Sequence, residues 1–136
     1  MSEKFKTSST LVKDSAEKEK TSYELAMTVA RAADDRKGDD IVLLRVAEVS
    51  YLADYFVTVG GYSKVQVRAI SQAIQEKVEM ECQRQPLRVE GQAEGSWILL
   101  DYGDAIVHIM MESEREFYNL EAFWGHAERI DFSPAS

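Results

Sequence analysis

The chain of 136 residues contains a single cysteine, Cys82. A lone thiol excludes an internal disulfide framework and any zinc site built on cysteines. Cys82 falls in an expected helix with no histidine near it in sequence, so nothing marks it as an activated thiol. Long apolar runs are lacking too. None approaches the ~20 residues that span a bilayer. The N-terminal segment has no apolar stretch of the secretory type. A reducing, cytoplasmic compartment with no membrane partner is the expectation. Basic residues are the minority: 16 Lys and Arg stand against 24 Asp and Glu, for a net charge of -8. That balance opposes general DNA or RNA binding, in which cationic side chains neutralise phosphates. It suits a basic protein surface, where complementary potentials speed encounter. Net charge alone also serves simply to keep a protein dissolved.

What is present is enough apolar material for one core. With 45% hydrophobic residues, a chain of this length builds a single domain without staples. Residues 1–20 are mostly Ser, Thr, Lys and Glu and cannot bury enough surface to offset ordering entropy. They are read as a disordered arm. The arm has acidic residues and no Arg, unlike an organelle transit peptide. Residues 21–130 form the expected domain, and 131–136 a flexible C-terminus.

Three segments open with the pattern of a capping box: Thr21 with Glu24, Ser63 with Gln66, and Ser113 with Glu116. The first helix is expected over 22–37, with Leu25, Val29 and Ala33 at helical spacing and Gly38 as its stop. The second is expected over 64–83, with Val67, Ile70, Ile74 and Val78 as its apolar stripe. The third is expected over 114–124, with Phe117, Leu120 and Trp124 on one face and Gly125 after it. Strand signals fall at 41–46 and 55–59, rich in β-branched and aromatic residues. Residues 86–90 alternate Leu87 and Val89 inward with Arg88 and Glu90 outward. Two further strands flank Gly103. The sum is one α/β domain, a mixed five-stranded sheet packed with helices.

The stretch from Trp97 to Met111 is the most informative. Two apolar runs flank Gly103-Asp104, which suits a two-residue type II′ hairpin with Gly at the positive-φ position. That register pairs Leu99 with His108 and Trp97 with Met110. Faces alternate along strands. Ile98, Leu100, Tyr102, Ala105, Val107 and Ile109 then share an apolar face. Trp97, Leu99, Asp101, Ile106, His108 and Met110 share a mixed one. The strand 105–111 is apolar on both faces except for His108, which suits a central strand.

Several chemistries can be tried on these residues. Asp101 and Asp104 are three apart with a turn residue between, so they point apart and clamp a divalent metal poorly. Glu112 and Glu114 have the two-residue spacing of a metal pair, but they sit at an expected strand-to-helix junction, where Glu114 complements the helix dipole as a first-turn acid. Gly60-Gly61-Tyr62-Ser63 precedes a helix and could receive an anion, yet it lacks a Walker lysine and full Rossmann spacing. A turn capped by Ser63 also explains it. Asp101 and His108 lie diagonally on one face and could form a dyad, but no Ser or Cys nucleophile accompanies them. His126 has no evident partner in the pattern. Trp97 beside polar groups has the make-up of an interface anchor. Burial under the last helix is the competing reading. No metal, cofactor or catalytic set emerges.

Taken together, Asp54-Tyr55-Phe56-Val57, the capped helix after Gly60, Val89-Glu90-Gly91, the run Trp-x-x-x-Asp-Tyr-Gly-Asp-x-x-x-His from Trp97 to His108, and Glu116-Phe117-Tyr118 with Leu120-Glu121 and Trp124-Gly125 resemble the ribosomal silencing factor family, also called the Iojap family. The match covers about residues 22–130. It departs at Tyr62, inserted in the Gly turn, and at Gln66, Asn119 and His126. The resemblance implies a fold related to nucleotidyltransferases without their catalytic carboxylates. It implies a non-enzymatic protein that binds ribosomal protein L-fourteen on the large ribosomal subunit, blocks joining of the small subunit, and so represses translation under nutrient limitation. Relatives in organelles imply a role in large-subunit assembly, and homodimers occur in the family; the rival reading is a nucleotidyltransferase-like enzyme using Asp101, Asp104 or Glu112 with Mg²⁺. The residues carried over as the partner-binding signature are Trp97, Leu99, Asp101, Tyr102, Asp104 and His108. Tyr102 falls on the apolar face and is expected to support the core.

Overall fold

A computed structural model describes residues 21–47, 53–117, 127–130 and 132. The expected arm, 1–20, and most of the C-terminal segment lie outside these residues. Helix α1 occupies 21–35 of the described chain, followed by β1 (Asp39–Arg45), β2 (Tyr55–Gly61), α2 (Lys64–Cys82), β3 (Arg88–Glu90), β4 (Trp97–Asp101), β5 (Ala105–Met111), α3 (Glu112–Phe117) and β6 (Glu128–Ile130). The strands form one sheet in the order β3-β4-β5-β2-β1-β6. The sheet is mixed: β2 and β5 run parallel at its centre, and the other pairs are antiparallel. The expectation of five strands is corrected to six. The sixth, β6, is three residues that pair with β1, too short to show alternation in sequence.

Helices α1 and α2 cover one face. Val67, Ile70, Ile74 and Val78 of α2 and Leu25, Val29, Ala30 and Ala33 of α1 pack on Val57, Ile98, Leu100, Val107 and Ile109 of the sheet. The opposite face carries a smaller cluster of Val42, Leu44, Val46, Ala53 and Phe56, with Ile106 and Ala127 against it. β2 is buried along its whole length because it has apolar clusters on both faces. β5 lies between β4 and β2, the central place its composition predicts.

The helix ends differ in detail from the sequence expectation. α1 already includes Thr21, so Thr21 is not its cap. At the other end the left-handed residue is Lys37, at φ 60°, while the amide of Gly38 donates to the Ala33 carbonyl at 2.8 Å. This is a Schellman pattern in which Gly38 follows the left-handed position. Glycine is needed there for space, because a Cβ would stand 2.6 Å from Val59 Cγ1. Ser63 caps α2 as expected, its Oγ accepting from the Gln66 amide at 3.0 Å. Gln66 does not return to Ser63. Its Oε1 accepts from the Tyr62 amide at 2.8 Å, and its Nε2 donates to the Lys37 carbonyl at 3.1 Å. One side chain thus joins the end of α1 to the start of α2. α3 begins at Glu112 and contains Ser113, so the third capping box is not formed. Its expected continuation to Trp124 lies outside the described residues. β3 is exposed at all three residues, and Leu87 is 73% exposed; Val89 keeps the helix side that the alternation gives it, but neither residue is buried in the core as expected. The strand is the edge of the sheet among the described residues.

Two neighbours in β4 give a direct test of this two-faced sheet. Leu100 is fully buried against the helices and Leu99 is half-buried on the other face. Leu100→Ala is expected to cost about 2–5 kcal/mol in urea unfolding, and Leu99→Ala about 1 kcal/mol or less. Similar losses for the two would contradict the assignment of faces.

Candidate interaction face

The β4–β5 hairpin has the register expected from sequence. Trp97 pairs with Met110, Leu99 with His108 and Asp101 with Ile106. The Tyr102 amide donates to the Ala105 carbonyl at 2.9 Å, and Gly103 takes φ 90° in the two-residue turn. Side chains therefore sort as the alternation requires. Ile98, Leu100, Tyr102, Ala105, Val107 and Ile109 are buried on the helix side. Trp97, Leu99, Asp101, Ile106 and His108 are half-buried on the other side, and Met110 beside them is buried.

On that mixed face, His108 is held by aromatic neighbours. Trp97 Nε1 donates to His108 Nδ1 at 3.1 Å, with the rings edge-on at 5.9 Å between centroids. Phe56, brought alongside by the parallel pairing of β2, meets the imidazole edge-on at 5.7 Å. A ring nitrogen that accepts from an indole carries no proton, so the bond fixes the neutral form with hydrogen on Nε2. Burial lowers the His108 pKa to about 4. The Asp101–His108 dyad that the hairpin register allows does not form. Asp101 Oδ1 accepts from the Gly103 amide at 2.8 Å, and its Oδ2 lies 3.8 Å from Arg88 Nη2. A short carboxylate at a turn is captured by the nearest backbone donor.

Asp104 is turned inward from the tip. Arg84 grips its carboxylate with both terminal nitrogens, at 2.8 and 3.0 Å, and Ser22 Oγ donates to it at 2.8 Å. Arg84 also donates to the Tyr102 carbonyl at 2.6 Å. The Asp104 carbonyl accepts from the amides of Asp54 and Tyr55. Burial pushes the Asp104 carboxyl up, but the hydrogen bonds from Arg84 and Ser22 outweigh it and hold it below the usual carboxylate range. The bond to Asp104 raises Arg84 in turn. Tyr102 is buried as expected. Its hydroxyl has no hydrogen-bond partner among the described residues, and burial raises its pKa.

The alternative sites are accounted for by local contacts. At the far end of β2 and β5, Glu112 lies beside Asp39, and burial followed by the bond to Asp39 raises its pKa. Arg115 Nη1 donates to the Asp39 carbonyl at 3.2 Å and Nη2 to Thr58 Oγ1 at 3.0 Å. A side chain at Gly60 would collide with the Glu112 carboxyl. Carboxylates at the mouth of the Gly60 loop oppose an anion there. Among the described residues, no three His, Cys, Asp or Glu side chains converge to hold a metal ion. No described helix is long and apolar enough to cross a membrane. Cys82 rests half-buried near Thr28, with Sγ 3.8 Å from Oγ1.

Of the six signature residues, Trp97, Leu99, Asp101 and His108 come together on one face. Tyr102 and Asp104 lie behind it and support the turn. Two contributors escaped the sequence reading. Arg84 sits in a connection with no motif, and Phe56 joins the face only through the long-range pairing of β2 with β5.

Fold and face define a single α/β domain with an open mixed sheet, whose distinctive groups occupy a sheet face. The family model described as "Ribosomal silencing factor during starvation" matches residues 19–136. The chain is 40% identical over 102 residues to "Ribosomal silencing factor RsfS" of Bacillus subtilis, covering 75% of this chain and 86% of that one. It is 36% identical over 111 residues to the protein of the same name from Halalkalibacterium halodurans, covering 82% and 94%. A mouse relative named "Mitochondrial assembly of ribosomal large subunit protein 1" is 29% identical over 87 residues, covering 62% of this chain and 38% of that one. A crystal structure of a Chromobacterium violaceum protein superposes with a TM-score of 0.72 at 31% identity, covering 83% of this chain and 92% of that one. The chain belongs to the ribosomal silencing factor family.

Two measurements probe the face from inside. A folded-state pKa of about 4 lies below the ordinary value for His108 of 6.5, so the folded chain resists protonation that the unfolded chain accepts. Its contribution is complete above about pH 6.5 and is lost as pH falls toward 4, with a full size on the order of 3 kcal/mol. His108→Gln should flatten the stability profile between pH 6.5 and 4.5, and an unchanged slope would contradict the burial. Tyr102→Phe removes an unsatisfied buried hydroxyl and should leave unfolding free energy unchanged or raise it by up to about 1 kcal/mol. A loss above about 1 kcal/mol would show that the hydroxyl has a partner.

Proposed function

We propose that the chain silences translation by docking the Trp97–His108 face on ribosomal protein L-fourteen of the large ribosomal subunit. The bound domain then occupies space that the small subunit needs, so joining is blocked and translation falls under nutrient limitation. The observation that carries this reading is the half-open face on which Trp97, Leu99 and His108 lie together beside Asp101. An aromatic and aliphatic centre edged by a carboxylate suits a basic protein surface. The net charge of -8 favours the same encounter. Tyr102 and Asp104 act through this face by fixing the hairpin turn rather than by touching the partner. The proposed role needs no catalysis and no cofactor. Asp104, a carboxylate that a nucleotidyltransferase reading would use, is gripped by Arg84.

A second reading, help in large-subunit assembly from the same docking face, is favoured by the name of the mouse relative. The two differ in when the chain associates with the subunit. Family resemblance also supports a cytoplasmic homodimer off the ribosome, which sedimentation velocity would read.

Co-sedimentation with purified large subunits tests the face. Trp97→Ala and Asp101→Lys are each expected to weaken association by about tenfold or more, equivalent to at least ~1.4 kcal/mol. Both should restore joining with small subunits. Normal binding and blocking by both variants would refute the assignment of the face.

A further inference from the structure

The edge of the sheet at β3 carries features that the hairpin face does not use. β3 is the end strand among the described residues, with Leu87 73% and Val89 40% exposed. Backbone groups of a strand point alternately to its two sides. In β4, the Tyr102 amide is directed at β5, so the backbone groups of Asp101 and Leu99 are directed at β3. Their partners there are Arg88 and Glu90. The N–H and C=O of Val89, between them, therefore face outward from the sheet. Leu87 N–H is taken by the Asp101 carbonyl, and Gly91 C=O by the Gly95 amide. Among the described residues, the donor–acceptor pair of Val89 is left to receive another strand.

The side chain of Val89 points to the helix side, as its partner Leu100 does. There it forms the edge of an open groove of about 510 Å³ against α2, lined by Gln72, Gln75, Glu76, Glu79 and Gln92. The groove has two carboxylates and no cation. Neither Glu76 nor Glu79 has an ion pair among the described residues, and the nearby Lys77 is engaged by Asp35 and Glu81. In a hydrogen-bonded antiparallel pair, facing side chains share one side of the sheet. A guest residue opposite Val89 would thus project into the acidic groove.

We propose that β3 is a docking site for an extended basic peptide segment, which adds as a strand through Val89 and places a Lys or Arg beside Glu76 and Glu79. Strand addition supplies main-chain bonds, and the groove supplies selectivity. Arg88 and Glu90, flanking Val89 on the opposite face, discourage indiscriminate pairing of this edge with other sheets. The site is separate from the Trp97–His108 face and does not rest on its ribosomal role.

The test uses the full chain without ribosomes and two fluorescein-labelled octapeptides, one alternating Lys with Val and the other Glu with Val. Fluorescence anisotropy at low salt should show saturable binding of the Lys peptide and binding weaker by about tenfold or more for the Glu peptide. Val89→Pro removes only an N–H that the sheet does not use, and edge strands tolerate proline with that orientation. It should weaken the Lys peptide by about tenfold, with circular dichroism unchanged. Joint replacement Glu76→Gln and Glu79→Gln should abolish most of the preference between peptides. A Lys peptide methylated on its backbone nitrogens should fail to bind the unaltered chain, which tests strand addition even if Val89→Pro does not fold. Equal binding of the two charge types, or undiminished binding of the methylated peptide, overturns the proposal. Self-association that Val89→Pro abolishes also overturns it, because the edge would then belong to a second copy of the chain.

Discussion

The paired grip of Arg84 on Asp104 is the contact on which the arrangement of the domain converges. Asp104 lies at the tip of a hairpin, a place where a carboxylate would ordinarily stay in water. Here it meets Arg84 from the connection after α2 and Ser22 from α1, while its carbonyl receives the amides that open β2. Four separate parts of the chain are thereby referred to one residue. The pair is only partly buried, with about a quarter of Asp104 and a third of Arg84 still accessible, so its desolvation is incomplete. The fork of the guanidinium gives it direction as well as strength. A turn fixed this way keeps β4 and β5 in one register. A slip of one residue would exchange the contents of the two sheet faces.

The division of the hairpin into two faces was legible from residues alone, because alternation and a Gly-Asp turn are local signals. The same holds for α2, whose buried stripe of Val67, Ile70, Ile74 and Val78 repeats at helical spacing. What could not be read was anything set by distant pairing. Phe56 reaches His108 only because β2 lies parallel to β5, and no spacing within either strand announces that. Arg84 has no periodic pattern around it, and its role appears only once the end of α2 is placed beside the hairpin tip. In β3 the alternation of Leu87 and Val89 suggests a half-buried strand, yet at the edge of the sheet both stay exposed. Geometry across the hairpin also allows His108 to meet Asp101. The indole of Trp97 and the amide of Gly103 each offered a better-placed donor.

The parallel pairing of β2 with β5 also sets which contacts of the sheet are local and which are not. β1 with β2, and β4 with β5, are antiparallel neighbours joined by short connections, and each can close as a local unit. The central seam is different. Every rung joins residues separated by α2 and two strands, as Tyr55 is with Ala105. Closing such a loop loses more chain entropy before any contact is returned. The seam that carries the buried middle of the sheet therefore costs more chain entropy to close than either antiparallel neighbour pair. The half-open face draws on both kinds of contact: Trp97 and His108 are brought together by the hairpin alone, whereas Phe56 reaches them only across the central seam.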